Sequence, residues 1–267
     1  LIFRNNRMII PHGDDYLLPH DNTFFVGASG EIEKFSKHFV GTGIKAPERV
    51  MIIGAGRTGR TLAKMLDKQG VQVKVIEKDA ERSRMVAERI EEGIVVRGDG
   101  TDIDLLTQEG VGEADVVICL TADDKLNLML ALLAKHLGAA RTIVRVARIE
   151  YVDLMEKVGV DIVLSSRLLA AGEILAFARR GGVVSVALLE GAKAEAMEVI
   201  VQKGSYVENK KLMDLQLPKE CLICAFVRDD EAFVPTGQSS LQAGDRAILF
   251  IRMEFANKVM KYFAGKA

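Results

Sequence analysis

The chain has no apolar run approaching the roughly 20 residues that a membrane-spanning helix needs. Stretches such as Val116 to Leu120 and Ile94 to Val96 are strand-sized. Nor is there an excess of positive charge: 36 basic residues are scattered among 37 acidic ones, for a net charge of -1. No basic stripe emerges, so the sequence gives no support for binding nucleic acid or anionic lipid. The opening LIFRNNRMIIPHG has too short an apolar segment, broken by Arg4, to be a secretory leader. Because it begins with Leu rather than Met, the sequence is expected to be part of a longer protein. Three cysteines, at 119, 221 and 224, are too few for a disulfide framework and point to a reducing compartment. Cys221 and Cys224 spell CxxC inside the apolar run CLICAFV. That run reads as a strand, on which residues three apart face opposite ways. The two thiols therefore read as small core residues, not as a redox pair at a helix N-terminus.

Catalytic signatures are also missing. There is no Gly-x-Ser-x-Gly, no HExxH and no cluster with metal-ligand spacing. His12, His20 and His38 lie near the start of the chain, and His136 lies late in a helical pattern. Tyr206 and Lys210 spell YxxxK, but they fall well after the last strand of the glycine-loop domain described below.

What is present begins with a repeat. Residues 4–39 lie over 228–263 without a gap, at an offset of 224. The identities are Arg4/Arg228, Pro11/Pro235, Gly13/Gly237, Leu17/Leu241, Asp21/Asp245, Lys37/Lys261 and Phe39/Phe263. Each copy reads as strand, Pro-x-Gly turn, Asp-containing turn, apolar strand and amphipathic helix. Residues 1–46 are accordingly expected to be the end of one repeat unit plus a linker, GTGIKAPE at 41–48. The rest of the chain is expected to be one whole unit.

From Arg49 the pattern alternates strictly between strand and helix: RVMIIG, then a helix ending at Gly70, then VQVKVIE, then a helix over 79–92 with Asp79 as its N-cap. It continues through GIVVRGD, DIDLLTQEG, ADVVICLT, the long helix from DDKLNLML, RTIVRVA, EYVDLMEKVG and DIVLS. This alternation predicts an α/β, doubly wound parallel sheet of Rossmann-like type, followed by a smaller α+β domain. Gly54-x-Gly56-x-x-Gly59 stands between the first strand and the first helix. In such a turn Gly54 permits the reversal, Gly56 lets backbone approach a pyrophosphate, and Gly59 lets the helix lie close to the sheet. The helix N-terminus offers open N–H groups to phosphate. Glu77 closes the second strand, where it can accept from ribose hydroxyls and favours NAD over NADP; the nearby Lys78 and Arg82 temper that preference. Ligands in these folds lie beyond the strands' carboxyl ends, which adds GDGTD (98–102) and LTADD (120–124) to the candidate site. Arg145, in the fifth strand, is either a charge satisfied within the sheet or a phosphate ligand.

These segments, together with VKVIEKDAERSRMVAERI, the N of LTADDKLN and VDLMEKVGVDIVLS, resemble the RCK (KTN) nucleotide-binding domain family. Within it, the tandem pattern is similar to the peripheral regulatory subunits of bacterial Trk potassium uptake systems. The resemblance implies four segments: 1–46, the end of a preceding RCK C-terminal domain; 47–166, an RCK N-terminal domain; 167–182, a crossover helix; and 183–267, an RCK C-terminal domain. It implies NAD(H), or alternatively ATP or ADP, held by Gly54, Ala55, Gly56, Arg57, Thr58, Gly59, Glu77, Asp99, Thr121 and Arg145. It further implies a homo-oligomer without enzymatic activity, on the cytoplasmic face of the membrane beside a membrane-embedded Trk-type potassium channel subunit. The competing reading from the glycine loop alone is an NAD-dependent oxidoreductase.

Overall fold

A computed structural model describes residues 1–4, 7–11, 13–39, 46–179, 182–189 and 193–265. Most of the expected linker, His12, and residues 180 and 181 of the expected crossover segment lie outside them. The chain divides into two compact units, Lys45–Arg167 and a second that joins Leu1–Ile44 to Leu168–Ala267.

The chain starts with a small antiparallel sheet of β1 (Ile2–Arg4), β2 (Arg7–Ile9) and β3 (Asn22–Thr23), in the order β2-β1-β3, followed by α1 (Ser29–Phe39). The Lys45–Arg167 unit then runs β4 (Arg49–Ile53), α2 (Arg57–Lys68), β5 (Gln72–Glu77), α3 (Ala80–Ala87), β6 (Ile94–Arg97) and α4 (Ile103–Gln108). It continues with β7 (Val116–Cys119), α5 (Asp124–His136), β8 (Thr142–Val146), α6 (Val152–Lys157) and β9 (Ile162–Ser165). Its six strands are parallel in the order β6-β5-β4-β7-β8-β9. The chain direction of winding reverses between β4 and β7, which opens a crevice at their carboxyl ends.

The apolar runs become central strands because both faces are covered. Met51, Ile53 and Ile76 enter one core with Val117, Leu130 and Ala134, while Val50, Ile52 and Val75 enter another with Ala63 and Val86. Alternate residues thus serve opposite layers. One helix is shorter than its pattern predicts: α3 stops at Ala87 instead of reaching Glu92. The cause is Asp67 at the end of α2, whose carboxylate accepts from the N–H groups of Glu91 (2.7 Å), Glu92 (3.2 Å) and Gly93 (2.8 Å). Those donors are then unavailable for another helical turn.

After α7 (Ser166–Ala178) come β10 (Val183–Leu189), β11 (Ala194–Ile200), β12 (Cys221–Arg228), β13 (Glu231–Phe233), β14 (Arg246–Arg252) and α8 (Ala256–Phe263). The strands form an antiparallel sheet in the order β10-β11-β14-β12-β13. Leu1, Phe3, Phe24 and Val26 pack against Ala194, Leu222 and Phe250 of this sheet.

The repeat holds at the level of single hydrogen bonds. Ile2 pairs with Ile9 and Thr23, as Phe226 pairs with Phe233 and Ala247. The Arg4 guanidinium donates to both oxygens of Asp21 (2.9 and 2.8 Å) and to the Tyr16 carbonyl (2.7 Å). At the same offset, Arg228 donates to both oxygens of Asp245 (2.8 and 2.7 Å) and to the Ser240 carbonyl (3.1 Å). Leu18 N–H and Gln242 N–H complete the two carboxylates at 2.8 and 2.7 Å. Leu17 and Phe25 are 49% and 50% exposed, whereas their equivalents Leu241 and Leu249 are both 0% exposed.

Arg4 and the Leu18 N–H hold the Asp21 carboxyl down at about 2, against an ordinary 3.8. At Asp245 burial works the other way, but Arg228 and the Gln242 N–H still hold the carboxyl below its ordinary value. A carboxyl depressed in the folded state contributes stability above its unfolded pKa and loses it as the pH falls through the folded one. Melting followed by circular dichroism is therefore expected to move to lower temperature between pH 3.8 and about 2. Asp21→Asn is expected to make that dependence shallower.

Candidate nucleotide site

β4 ends in the glycine turn. Gly54 has φ of 105°, and a Cβ there would come within 3.0 Å of the Leu120 carbonyl carbon and the Thr121 nitrogen. At Gly59 a Cβ would lie 2.0 Å from the Gly54 carbonyl oxygen, so α2 can cross the end of β4 this closely only without a side chain. Gly56 is the N-cap of α2 and has no side-chain cap. The Arg60 N–H is bonded to the Gly56 carbonyl (3.0 Å) and closes the first turn. The N–H groups of Arg57, Thr58 and Gly59 therefore stand at the open, electropositive end of the helix.

The structure brings Gly54, Gly56, Glu77, Asp99, Thr121 and Arg145 to the wall of one cavity of about 300 Å3 at the carboxyl edge, with Lys78 and Arg82 beside them. Four other sequence candidates are not on that wall. Ala55 has its side chain in the core, Gly59 is buried, and Arg57 and Thr58 are exposed in the first turn of α2. A larger cavity of about 620 Å3 opens at the amino edge of the same sheet. There Lys74 is paired with Glu109 and Arg49 with Glu113, and no α-helix N-terminus is among the lining residues. The carboxyl-edge cavity is thus the better candidate.

Glu77 is only 6% exposed, and both of its oxygens are engaged. One accepts from the Ala55 N–H (2.7 Å), the other from the Asp79 N–H (3.0 Å). The residue expected to serve a ribose thus also fastens the glycine turn to the end of β5. A Glu77→Ala variant loosens two turns as well as removing a sugar acceptor, so it cannot separate binding from folding. Asp99 accepts from the Thr101 N–H (2.9 Å) and hydroxyl (2.8 Å). Those bonds, the backbone one foremost, hold its carboxyl below the ordinary value.

Arg145 lines the same cavity, and its Nε is buried with no hydrogen-bond partner among the described residues. A guanidinium N–H taken from water without an acceptor is costly.

Asn127 was not singled out as a site residue by the sequence. It is 0% exposed and bonded to both Thr121 and the Arg145 carbonyl. The sequence marks it as the Asn of LTADDKLN, part of the resemblance above, and as a polar residue on the inward face of a largely apolar helix.

The remaining reactive residues lie elsewhere. Burial pushes the Cys119, Cys221 and Cys224 thiols up to about 12, and Cys221 and Cys224 face different cores. Lys210 sits over the Tyr206 ring at 3.6 Å, in the unit that does not carry the glycine turn. Among the described residues no group of His, Cys, Asp and Glu could hold a metal ion, and no helix is long and apolar enough to cross a membrane.

Strand order, glycine turn and acidic strand end place the Lys45–Arg167 unit in the class of Rossmann-like folds. The TrkA-N domain matches residues 50–166 and the TrkA-C domain matches residues 196–264. The chain belongs to this TrkA family. It is 38% identical over 265 residues to the Trk system potassium uptake protein TrkA homolog 2 of Methanosarcina mazei, covering 98% of this chain and 58% of that protein. It is 34% identical over 254 residues to the Trk system potassium uptake protein TrkA of Vibrio alginolyticus, covering 94% of this chain and 55% of that protein. The chain therefore spans little more than half the length of these relatives. In fold it is similar to the GsuK channel (TM-score 0.55, 18% identity, 87% of this chain and 45% of that one). The crystal structure of the GsuK RCK domain is a similar match (TM-score 0.52, 19% identity, 84% and 49%).

Proposed function

We propose that the chain is a nucleotide-sensing regulatory subunit of a Trk-type potassium uptake system, binding NAD(H), or ATP or ADP, at the carboxyl edge of β4, β5, β7 and β8. The observation that carries this reading is the unpartnered, buried Nε of Arg145 on the wall of the cavity that holds Gly54, Gly56, Glu77, Asp99 and Thr121. The phosphates sit between Arg145 and the open N–H groups of Arg57, Thr58 and Gly59, where the backbone at Ala55 and Gly56 allows close approach. Glu77 and Asp99 take the adenosine ribose. The names of the relatives support the potassium system as the setting. In that setting the partner is a membrane-embedded potassium channel subunit, and the chain works as a homo-oligomer on the cytoplasmic face of the membrane. Residues 1–46 belong to a second module of the kind seen at 183–267, a reading supported by the duplicated Arg–Asp pairs.

The reading is non-enzymatic. The two best-formed carboxylates of the cavity are held by N–H groups of their own turns, Glu77 by Ala55 and Asp79 and Asp99 by Thr101, so neither is poised to move a proton. A ligand can shift a gate only by binding two arrangements with different affinity. Calorimetric titration with NAD, NADH, ATP and ADP is expected to show saturable binding of at least one, with no consumption of NADH over the same time. Steady hydride transfer to a small substrate would support the oxidoreductase reading instead.

A further inference from the structure

Thr121 and Arg145 sit at the ends of different strands, and one side chain joins them from behind the cavity. Asn127 lies in the first turns of α5. Its Oδ1 accepts from the Thr121 N–H (2.8 Å) and the Thr121 hydroxyl (2.7 Å). Its Nδ2 donates to the Thr121 carbonyl (3.1 Å) and the Arg145 carbonyl (3.0 Å). Both lone pairs and both hydrogens of the amide are therefore used. A fully buried amide beside Leu130 and Ala131 is tolerated only when matched in this way, and an apolar residue would fill the space without that demand.

The neighbouring residues extend the grip. The Asp124 carboxylate accepts from the Ala147 N–H (2.9 Å) and the Arg148 N–H (3.0 Å), just beyond β8. Asp123 caps the helix through the Lys125 and Leu126 N–H groups. The start of α5 therefore holds the end of β8 at Arg145 and just beyond it, and the loop carrying Thr121, as one frame. Against that frame the Arg145 Nε is buried and open.

We propose that Asn127 is the positioning residue of this site. It fixes the backbone of Thr121 and Arg145 so that the Arg145 guanidinium meets phosphate oxygens of an adenine nucleotide. This rests on the nucleotide reading above. Asn127 touches no ligand; it acts through Arg145, with Thr121 as the anchor on the other side of the amide.

A double-mutant cycle on the full chain, with ADP affinity measured by calorimetry, tests it. Asn127→Asp keeps the shape but turns an acceptor toward the Thr121 and Arg145 carbonyls. It is expected to lower ADP affinity about tenfold in the wild-type background and less than about twofold in an Arg145→Gln background. A loss of equal size in both backgrounds would show a general structural role and overturn the inference, as would no loss in either. Asn127→Ser, which keeps one donor and one acceptor, is read in the same way if the aspartate variant does not fold. Failure of the unsubstituted chain to bind ADP, NADH or ATP is a separate outcome: it overturns the nucleotide reading, and the inference with it.

Discussion

Gly59→Ala is expected to destabilise the Lys45–Arg167 unit by about 3 kcal/mol or more, enough to abolish its cooperative melting or to lower it by many degrees. The added carbon would lie 2.0 Å from the Gly54 carbonyl oxygen. That atom belongs to backbone pinned on both sides, because the Gly54 N–H is bonded to the Ile76 carbonyl (2.9 Å) and the Ala55 N–H to Glu77 (2.7 Å). No flexible side chain can give way, so α2 must lift off the sheet. Gly56→Ala makes the same chemical change three residues earlier, where a Cβ meets nothing within 4 Å and φ is -61°. Its melting is expected to stay within about 1 kcal/mol of the unsubstituted chain, while nucleotide affinity falls because the new methyl occupies the phosphate approach. Equal melting of the two variants would show that α2 does not depend on the close crossing.

The Arg145 prediction has opposite signs in its two readouts. Replacing Arg145 with Gln or Leu is expected to lower nucleotide affinity by roughly ten- to a hundredfold, the range for losing charge-assisted hydrogen bonds to phosphate. The ligand-free protein should melt at the same or a higher temperature, because the substitution removes a buried N–H that has no acceptor. A residue paired within the sheet would behave the other way, losing stability and leaving affinity unchanged. Thermal melts with and without ADP separate the two cases.

Much of the fold is legible in the residues themselves. β4, β5 and β7 announce themselves as apolar runs because both faces are covered, and the glycine spacing marks where β4 hands over to α2. The duplication is legible down to Arg4–Asp21 and Arg228–Asp245, since a bidentate pair between a strand end and a later turn needs both partners at fixed spacing. The length of α3 is not legible. Its pattern runs on through Ile90, which does reach the core, but Asp67, 24 residues before Glu91, takes the backbone donors first. Such a competition between a helix and a distant carboxylate leaves no mark in local periodicity.

The site is legible in part for the same reason. Gly54, Gly56, Glu77, Asp99, Thr121 and Arg145 fall together because the strand order puts their turns at one edge. Glu77 was legible as an acidic strand end, but not as the acceptor that ties two turns together. Whether Arg145 was satisfied within the sheet could not be read from a strand pattern, and the role of Asn127 depends on which carbonyls lie behind α5.

The central claim is that an adenine nucleotide occupies the carboxyl edge of the parallel sheet. Amide hydrogen exchange with and without ADP tests it most directly. The account predicts slowed exchange at Arg57 to Gly59, at 98–101 and at 121–127, with little change around the amino-edge cavity. Protection concentrated at Gln72, Lys74, Glu92 and Glu113 instead would place the ligand at the opposite end of the sheet and contradict it.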